Sequence, residues 1–182
     1  MQRTRLINRS IMSDSGSIHK KANVSKLKVA VSAAFFIVIL ILADQVTKSL
    51  AIRYLKGNDP YVIINGVLEL TYVENTGAAF GMMKGMRNIF LFLAPIVSVG
   101  LFIYLVRISE NARMKAMISC FIFIIAGALG NFIDRLRLSY VVDFIYFKLI
   151  DFPVFNVADI YVTCSSILLI LLLIFKYKEE DF

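Results

Sequence analysis

Residues 29–43 read VAVSAAFFIVILILA, and this uncharged run decides the fold of the chain. It continues as a polar-faced segment toward Ile52. A helix needs about 20 mostly apolar residues to cross the hydrocarbon core of a bilayer. We therefore interpret this segment as the first membrane span of the protein.

Three further apolar runs follow the first one: Ile89–Val106, which contains Pro95, Ala116–Ile133 and Val154–Phe175. A membrane helix tolerates a proline as a kink. Over all 182 residues, 59% are hydrophobic and 18% are charged, whereas soluble domains have about 45–50% and 25%. This composition excludes a disordered chain, a fibrous repeat and a polar nucleic-acid-binding module. The sequence predicts an all-α membrane protein with four transmembrane helices.

The formal charge of +7 is best explained as an orientation signal, because Lys and Arg collect on the cytoplasmic side of membrane proteins. Seven of these residues precede residue 29, three lie within 107–115 and two follow residue 175. We therefore expect both termini to be cytoplasmic. Residues 1–27 are expected to form a flexible cytoplasmic tail, residues 28–178 the membrane domain and residues 179–182 a cytoplasmic end.

A small β element is predicted on the outward side. Asn65-Gly66 separates the β-prone runs Tyr61–Ile64 and Val67–Val73, and Asn-Gly between such runs is a strong hairpin signal. The segment Ser139–Phe147 is also β-prone and aromatic. We expect it to add strands to the hairpin.

Few residues of the chain are suited to binding a metal or a redox cofactor. Cys120 and Cys164 lie in apolar runs, where cysteine usually serves as a small packing residue. The only histidine, His19, lies in the polar N-terminal segment. We expect no metal site and no cofactor, and a metal site built from carboxylates alone is the alternative that stays open.

Polar residues converge at the outer ends of three spans. Charged groups at membrane depth are costly and indicate function by default. Residues that share helix faces there are Asp44, Thr47 and Lys48; Gly127, Asn131, Asp134 and Arg135; and Asn156 and Asp159. Two purely structural interpretations stay open. Asp44–Lys48 and Asp134–Arg135 could be ion pairs that tether helix ends, and Asn131 could be an interhelical hydrogen-bond donor.

Asp143 and Asp159 are harder to explain as structural residues, since neither has a basic neighbour at helical spacing. Two carboxylates held close together can share one proton. One can then act as a base toward water while the other polarises a carbonyl. A proton-coupled transporter and a purely structural subunit are the competing classes, although the acids form no path across the membrane.

The chain resembles the lipoprotein signal peptidase family, also called signal peptidase II. The resemblance covers roughly residues 29–176 and rests on five motifs in order: Asp44-Gln45-Val46-Thr47-Lys48, Asn75-Thr76-Gly77-Ala78-Ala79-Phe80-Gly81, Gly130-Asn131-Phe132-Ile133-Asp134-Arg135, Val141-Val142-Asp143-Phe144 and Phe155-Asn156-Val157-Ala158-Asp159. The N-terminal extension is the main departure.

The resemblance implies an aspartic endopeptidase of the bacterial inner membrane that cuts diacylglyceryl-modified prolipoproteins before the lipidated cysteine. It implies four membrane helices, a periplasmic β-cradle formed by residues 54–88 and 135–153, and a short surface helix. Asp143 and Asp159 would be the catalytic pair, and the site-shaping residues would be Asp44, Lys48, Asn75, Gly77, Asn131, Arg135, Asn156 and Ala158. The expected partners are the lipidated substrate and membrane lipid, with no nucleic acid, and the protein is expected to be a monomer.

Overall fold

The computed structural model describes residues 2–77, 87–109, 111–178 and 180. Its helices are α1 (Gln2–Leu55), α2 (Arg87–Ile108), α3 (Lys115–Arg137) and α4 (Val157–Phe175), and its strands are β1 (Tyr61–Ile64), β2 (Leu68–Asn75) and β3 (Val141–Phe147). Single 3-10 turns occur at Ala112–Met114 and Lys148–Ile150. No longer surface helix lies among the described residues, and parts of the expected cradle (78–86) and cytoplasmic end (179, 181–182) lie outside them.

Each of the four helices contains a segment long and apolar enough to cross a membrane, as the sequence predicts. These segments are Ser25–Leu55, Leu91–Ile108, Lys115–Arg137 and Val157–Phe175. Large apolar side chains cover the outside of the bundle, such as Phe92 and Phe175, which are 72% and 80% exposed. Such a surface is stable in contact with lipid chains and not with water. The prediction of a four-span membrane protein is confirmed.

Residues 2–27, which are expected to form a flexible tail, are helical. The structure extends α1 without a break from Gln2 into the first span. No proline interrupts residues 2–28, and adding residues to an existing helix avoids the unfavourable nucleation step. That this segment is a flexible tail stays a prediction. On which side of the membrane these residues lie stays a prediction.

The three strands form one antiparallel sheet in the order β1-β2-β3. The predicted Asn65-Gly66 turn joins β1 to β2, with Gly66 at φ +70°, a conformation that glycine adopts without strain. The predicted strand within Ser139–Phe147 pairs with β2, so both β predictions are confirmed. We call the end of the helix bundle that carries this sheet the sheet end, and the opposite end the far end.

The sheet is fixed to the bundle by apolar packing at the last turns of α1. Val142 and Phe144 of β3 are buried in a cluster with Ala51 and Leu55 of α1. The backbone N–H of Val142 also donates to Asp134 of α3 at 3.2 Å. These contacts hold β3, and with it Asp143, against the ends of α1 and α3.

Helix α4 approaches α3 closely because two glycines remove side-chain bulk. A Cβ atom on Gly127 would lie 2.5 Å from the backbone oxygen of Ala158 and 2.7 Å from Val162. A Cβ atom on Gly130 would lie 2.6 Å from Oδ2 of Asp44. Small residues allow such close packing between membrane helices. As a result, the first turn of α4 lies within hydrogen-bond reach of α1 and α3.

Candidate active site

Asp143 is held by two side-chain amides and is 2% exposed. Nδ2 of Asn156 donates to Oδ1 of Asp143 at 2.6 Å, and Nδ2 of Asn75 donates to Oδ2 at 2.9 Å. Asn75 reaches the carboxylate because β2 and β3 are paired, with Asn75 opposite Val141. Both Asp143 oxygens are therefore fixed by neutral donors from separate elements.

Asp159 lies in the first turn of α4 and is half-buried. Its Oδ1 accepts from Nδ2 of Asn131 at 2.8 Å, and its Oδ2 accepts from the backbone N–H of Asn156 at 3.1 Å. The second contact is half of a capping box, in which Oδ1 of Asn156 accepts from the backbone N–H of Asp159. The sequence Asn-x-x-Asp thus both begins helix α4 and orients the carboxylate of Asp159.

Asn156 is completely buried and connects the two aspartates. Its Nδ2 donates to Asp143 at 2.6 Å and to Oδ1 of Asn131 at 3.2 Å, while its Oδ1 and backbone N–H both bind Asp159. One asparagine therefore fixes the relative position of both carboxylates. The predicted pair Asp143 and Asp159 is brought into a single hydrogen-bonded cluster.

Lys48 lies behind this cluster and is 2% exposed. Its Nζ contacts Oδ2 of Asp44 at 2.9 Å, Oδ2 of Asp134 at 3.0 Å and Oδ1 of Asn131 at 2.8 Å. An ammonium group has three protons, so these three contacts use all of its donors. Lys48 is thus linked to Asp159 through Asn131. It has no proton left to share with a reacting group.

Asp44 and Ala158 join α1 to the start of α4. The backbone N–H of Ala158 donates to Oδ1 of Asp44 at 3.0 Å, and both residues are fully buried. The first N–H groups of a helix have no partner within the helix. Asp44 satisfies one of them, while the Asn156 side chain satisfies the next. Both residues were predicted to shape the site, and this contact fixes α4 relative to α1.

Gly77 and Arg135 connect the end of β2 to α3. Nη2 of Arg135 donates to the backbone oxygen of Gly77 at 3.1 Å, and Nη1 donates to the backbone oxygen of Asn131 at 3.3 Å. The N–H of Gly77 donates to Oδ1 of Asn75 at 2.9 Å. This contact fixes Oδ1 of the Asn75 amide, so that its Nδ2 faces Asp143. All ten predicted site residues lie in this connected group.

Sequence analysis did not identify Gln45 as part of the site. Its Nε2 donates to Oδ1 of Asp134 at 2.9 Å and to the backbone oxygen of Gly130 at 3.2 Å, and lies 3.3 Å from Oδ2 of Asp44. The ion pair predicted for Asp134 is with its neighbour Arg135, but the structure pairs Asp134 with Lys48 of α1. The available signal was that Gln45 follows Asp44 directly and lies three residues before Lys48.

Burial, and after it the nearby charge of Asp159, raise the pKa of Asp143 from 3.8 to about 6. The amides of Asn75 and Asn156 and the charge of Lys48 oppose this shift. A carboxyl group with such a pKa keeps its proton well above the usual range and can donate it to a substrate. Within the described part of the chain, no three His, Cys, Asp or Glu side chains meet as potential metal ligands.

A comparison with known proteins places this chain in a family. The family model described as signal peptidase II matches residues 36–175, which contain every site residue named above. A lipoprotein signal peptidase from Caldanaerobacter subterraneus is 41% identical over 79% of this chain and 97% of its own length. One from Streptococcus pyogenes is 36% identical over 80% of this chain and 93% of its own length.

Solved structures agree with the sequence comparison. Two structures titled as bacterial membrane enzymes, determined by the in meso method at 1.9 and 2.3 Å, superpose with TM-scores of 0.68 and 0.67 at 34% identity. They cover 80% and 81% of this chain, and the alignment includes 94% and 92% of the solved chains. The resemblance read from five short motifs is therefore confirmed. The chain belongs to the signal peptidase II family, the aspartic peptidases that process bacterial prolipoproteins.

Proposed function

We propose that this chain cleaves diacylglyceryl-modified prolipoproteins before the lipidated cysteine, using Asp143 and Asp159 as its catalytic pair. The observation that carries the proposal is the bridging role of Asn156, which binds one carboxylate through its side-chain amide and caps the helix that presents the other. A residue that fixes two acids in one geometry supports their joint action on one water molecule.

The two carboxyl groups have different environments, and this supports different roles at the start of the reaction. Asp143 is buried, with its pKa raised to about 6, so it is suited to hold the proton. Asp159 is half-buried, accepts two hydrogen bonds and lies in the first turn of α4, where a helix favours negative charge. We therefore assign Asp159 the role of the base toward water.

The reaction then proceeds through a tetrahedral intermediate. Asp159 takes a proton from water as its oxygen bonds to the scissile carbonyl carbon, and Asp143 gives its proton to the carbonyl oxygen. Asp159 next passes its proton to the leaving nitrogen as the C–N bond breaks, and a hydroxyl proton returns to Asp143. Both acids regain their starting states. The products are a free carboxyl group on the signal peptide and a free amine on the lipidated cysteine.

Lys48 has a positioning role in this scheme, because its three protons are used by Asp44, Asp134 and Asn131. It holds the amide of Asn131 toward Asp159. Arginine at this position should retain part of the activity, whereas alanine should lose more. Equal and complete loss in both variants, at normal expression, would favour a direct chemical role for Lys48.

The proposed setting is the bacterial inner membrane, with both termini cytoplasmic and the sheet end on the periplasmic side. The charge bias supports this orientation, because the far end carries Lys28, Arg113 and Lys115. A reporter fused after Lys178 should behave as cytoplasmic, and one inserted within 58–64 as external. The reverse result would overturn the orientation. We also propose that one copy of the chain suffices for activity.

The substrate proposal is tested with two precursors that differ only at the cysteine. Purified protein in detergent should cut a diacylglyceryl-modified prolipoprotein directly before that cysteine. The same precursor with serine at that position, which cannot be lipidated, should be cut at least about a hundredfold more slowly, since the lipid anchors the bond at the membrane surface. Equal cleavage of both precursors, or cleavage of neither, would contradict the proposed substrate.

A further inference from the structure

A groove of about 600 Å³ lies between α1 and α3 at the far end of the bundle, opposite the candidate active site. The α1 wall is formed mainly by Lys28, Ser32, Phe36 and Leu40, and α3 contributes Ser119 and Ile122. Polar and apolar residues occupy different parts of the groove. The mouth carries a cation and hydroxyl groups, and the rest of the lining is apolar.

The four α1 residues are spaced by four, so they form one stripe on a single helix face. From Lys28 to Leu40 the helix rises about 18 Å, at 1.5 Å per residue. This distance is more than half the thickness of a bilayer's hydrocarbon core, about 30 Å. The stripe therefore runs in the direction of a lipid acyl chain, with its polar end at the mouth of the groove and its apolar end deeper in the membrane.

The polar residues at the mouth are available for a ligand. Lys28 and Ser32 are both exposed, and neither has a hydrogen-bond or ion-pair partner among the described residues. Lys28 differs in this respect from Lys48 at the sheet end, whose three protons are all used in contacts. An unpaired ammonium beside a hydroxyl group, one helical turn apart, presents donors suited to a phosphate.

The surroundings of the groove favour an anionic ligand. Lys and Arg residues collect at the far end, at positions 26, 28, 107, 113, 115, 176 and 178. Basic pockets between membrane helices are sites for acidic lipid headgroups. We infer that this groove binds one anionic phospholipid, with its phosphate at Lys28 and Ser32 and one acyl chain along Phe36, Leu40 and Ile122. The bound lipid joins α1 to α3 at the end where no catalytic residue lies.

The test measures lipid binding to the whole protein, purified in a maltoside detergent, by native mass spectrometry. Phosphatidylglycerol and phosphatidylcholine with identical acyl chains are titrated separately. Wild-type protein should bind one phosphatidylglycerol about fivefold or more tightly than phosphatidylcholine, the ratio expected for one lysine at a membrane surface. Lys28→Gln should remove this preference and leave proteolysis unchanged, because Lys28 is remote from the active site.

Two further variants make the result specific. Lys176→Gln removes an exposed lysine at the same end but outside the groove, and it should keep the preference. Ser32→Trp fills the groove and should weaken binding of both lipids. Water-soluble glycerol phosphate should not displace the bound lipid. The inference is overturned if wild type does not distinguish the two lipids, if Lys28→Gln and Lys176→Gln behave alike, or if glycerol phosphate displaces the lipid.

Discussion

Two groups of acids lie side by side at the sheet end, and they differ in their partners. Asp44 and Asp134 share a buried lysine, with Lys48 within 3.0 Å of both. Asp143 and Asp159 are held by the amides of Asn75, Asn131 and Asn156, and Asp159 is half-buried. Lys48 forms ion pairs with both acids of the first group, whereas neutral amides donate hydrogen bonds to the second group and the charge of Arg135 lies nearby.

This difference gives the two groups of acids different roles, one structural and one catalytic. A lysine between two carboxylates bridges them, so Asp44 and Asp134 hold α1 and α3 together through Lys48. Amide donors fix a carboxylate in space without neutralising its charge. Asn131 joins the two groups, since it accepts from Lys48 and donates to Asp159. Lys48 therefore helps to fix the position of Asp159 through Asn131.

The largest effect is expected from removing a proton-exchanging carboxylate. Asp143→Asn and Asp159→Asn should each lower the cleavage rate by about 10⁴-fold or more, and the double variant should lose little beyond that, because residues acting as one unit fail together. Asp151→Asn is a matched control: Asp151 lies in the same connection between α3 and α4, is exposed, and has a φ of +50°, which asparagine tolerates.

Activity is measured with lipidated precursor, and folding by thermal unfolding in detergent. The control should cleave at the wild-type rate. If either Asp143→Asn or Asp159→Asn retained substantial cleavage, the catalytic role would move to the other acid group.

The next effect concerns stability. Lys48→Met leaves Asp44 and Asp134 buried without a cation, and breaking a buried pair in this way costs about 3–5 kcal/mol. Asp44→Asn combined with Lys48→Met restores the original net charge of the group and should recover part of the lost thermal stability. A double variant that is less stable than Lys48→Met alone would show that charge balance is not the role of this lysine.

A smaller effect is expected at the glycine that lets Asp44 approach α3. Gly130→Ala would place a methyl group 2.6 Å from Oδ2 of Asp44, so the carboxylate must shift from Lys48 and Ala158. We expect a loss of about 1–3 kcal/mol, typical of overpacking. Gly100→Ala in α2 is the control, since no atom lies within 4 Å of the added methyl group. Equal thermal stability of the two variants would contradict the close contact.

The smallest effect is expected at an ion pair that is not buried. Lys56 and Glu74 lie 2.9 Å apart at the sheet end, but their side chains are 51% and 41% exposed. Exposed pairs add little stability because water and salt screen them. Lys56→Met should unfold within about 2 °C of the wild-type temperature. A loss as large as that of Lys48→Met would show that burial does not distinguish the two lysines.

Much of this architecture follows from the sequence by local rules. Length and hydropathy predict the four spans, because each helix crosses the membrane independently of its neighbours. The Asn65-Gly66 turn predicts the hairpin, since its backbone geometry is local to those two residues. The spacing of polar residues on each helix also predicts that they meet at one depth. These features need no knowledge of how the helices are rotated against one another.

The partners within the site depend on that rotation and could not be predicted. The sequence suggests an ion pair between Asp134 and its neighbour Arg135, but adjacent residues on a helix point in different directions. Asp134 instead faces Lys48 and Gln45 of α1. The close approach of α4, set by Gly127 and Gly130, likewise brings Ala158 to Asp44. The role of Gln45 could not be predicted, because an amide next to a charged residue forms no distinctive sequence pattern.

The account is tested most directly by titrating the Asp143 carboxyl group in the free enzyme, using the infrared C=O band of a protonated acid. The pKa of Asp143 is raised to about 6 by burial and by the charge of Asp159. We predict a band that disappears as the pH rises through about 6, that is absent in Asp143→Asn, and that titrates at a lower pH in Asp159→Asn, where the like charge has been removed. Titration that is identical in wild type and Asp159→Asn, or that is centred near the ordinary value of about 4, would contradict a proton-sharing pair.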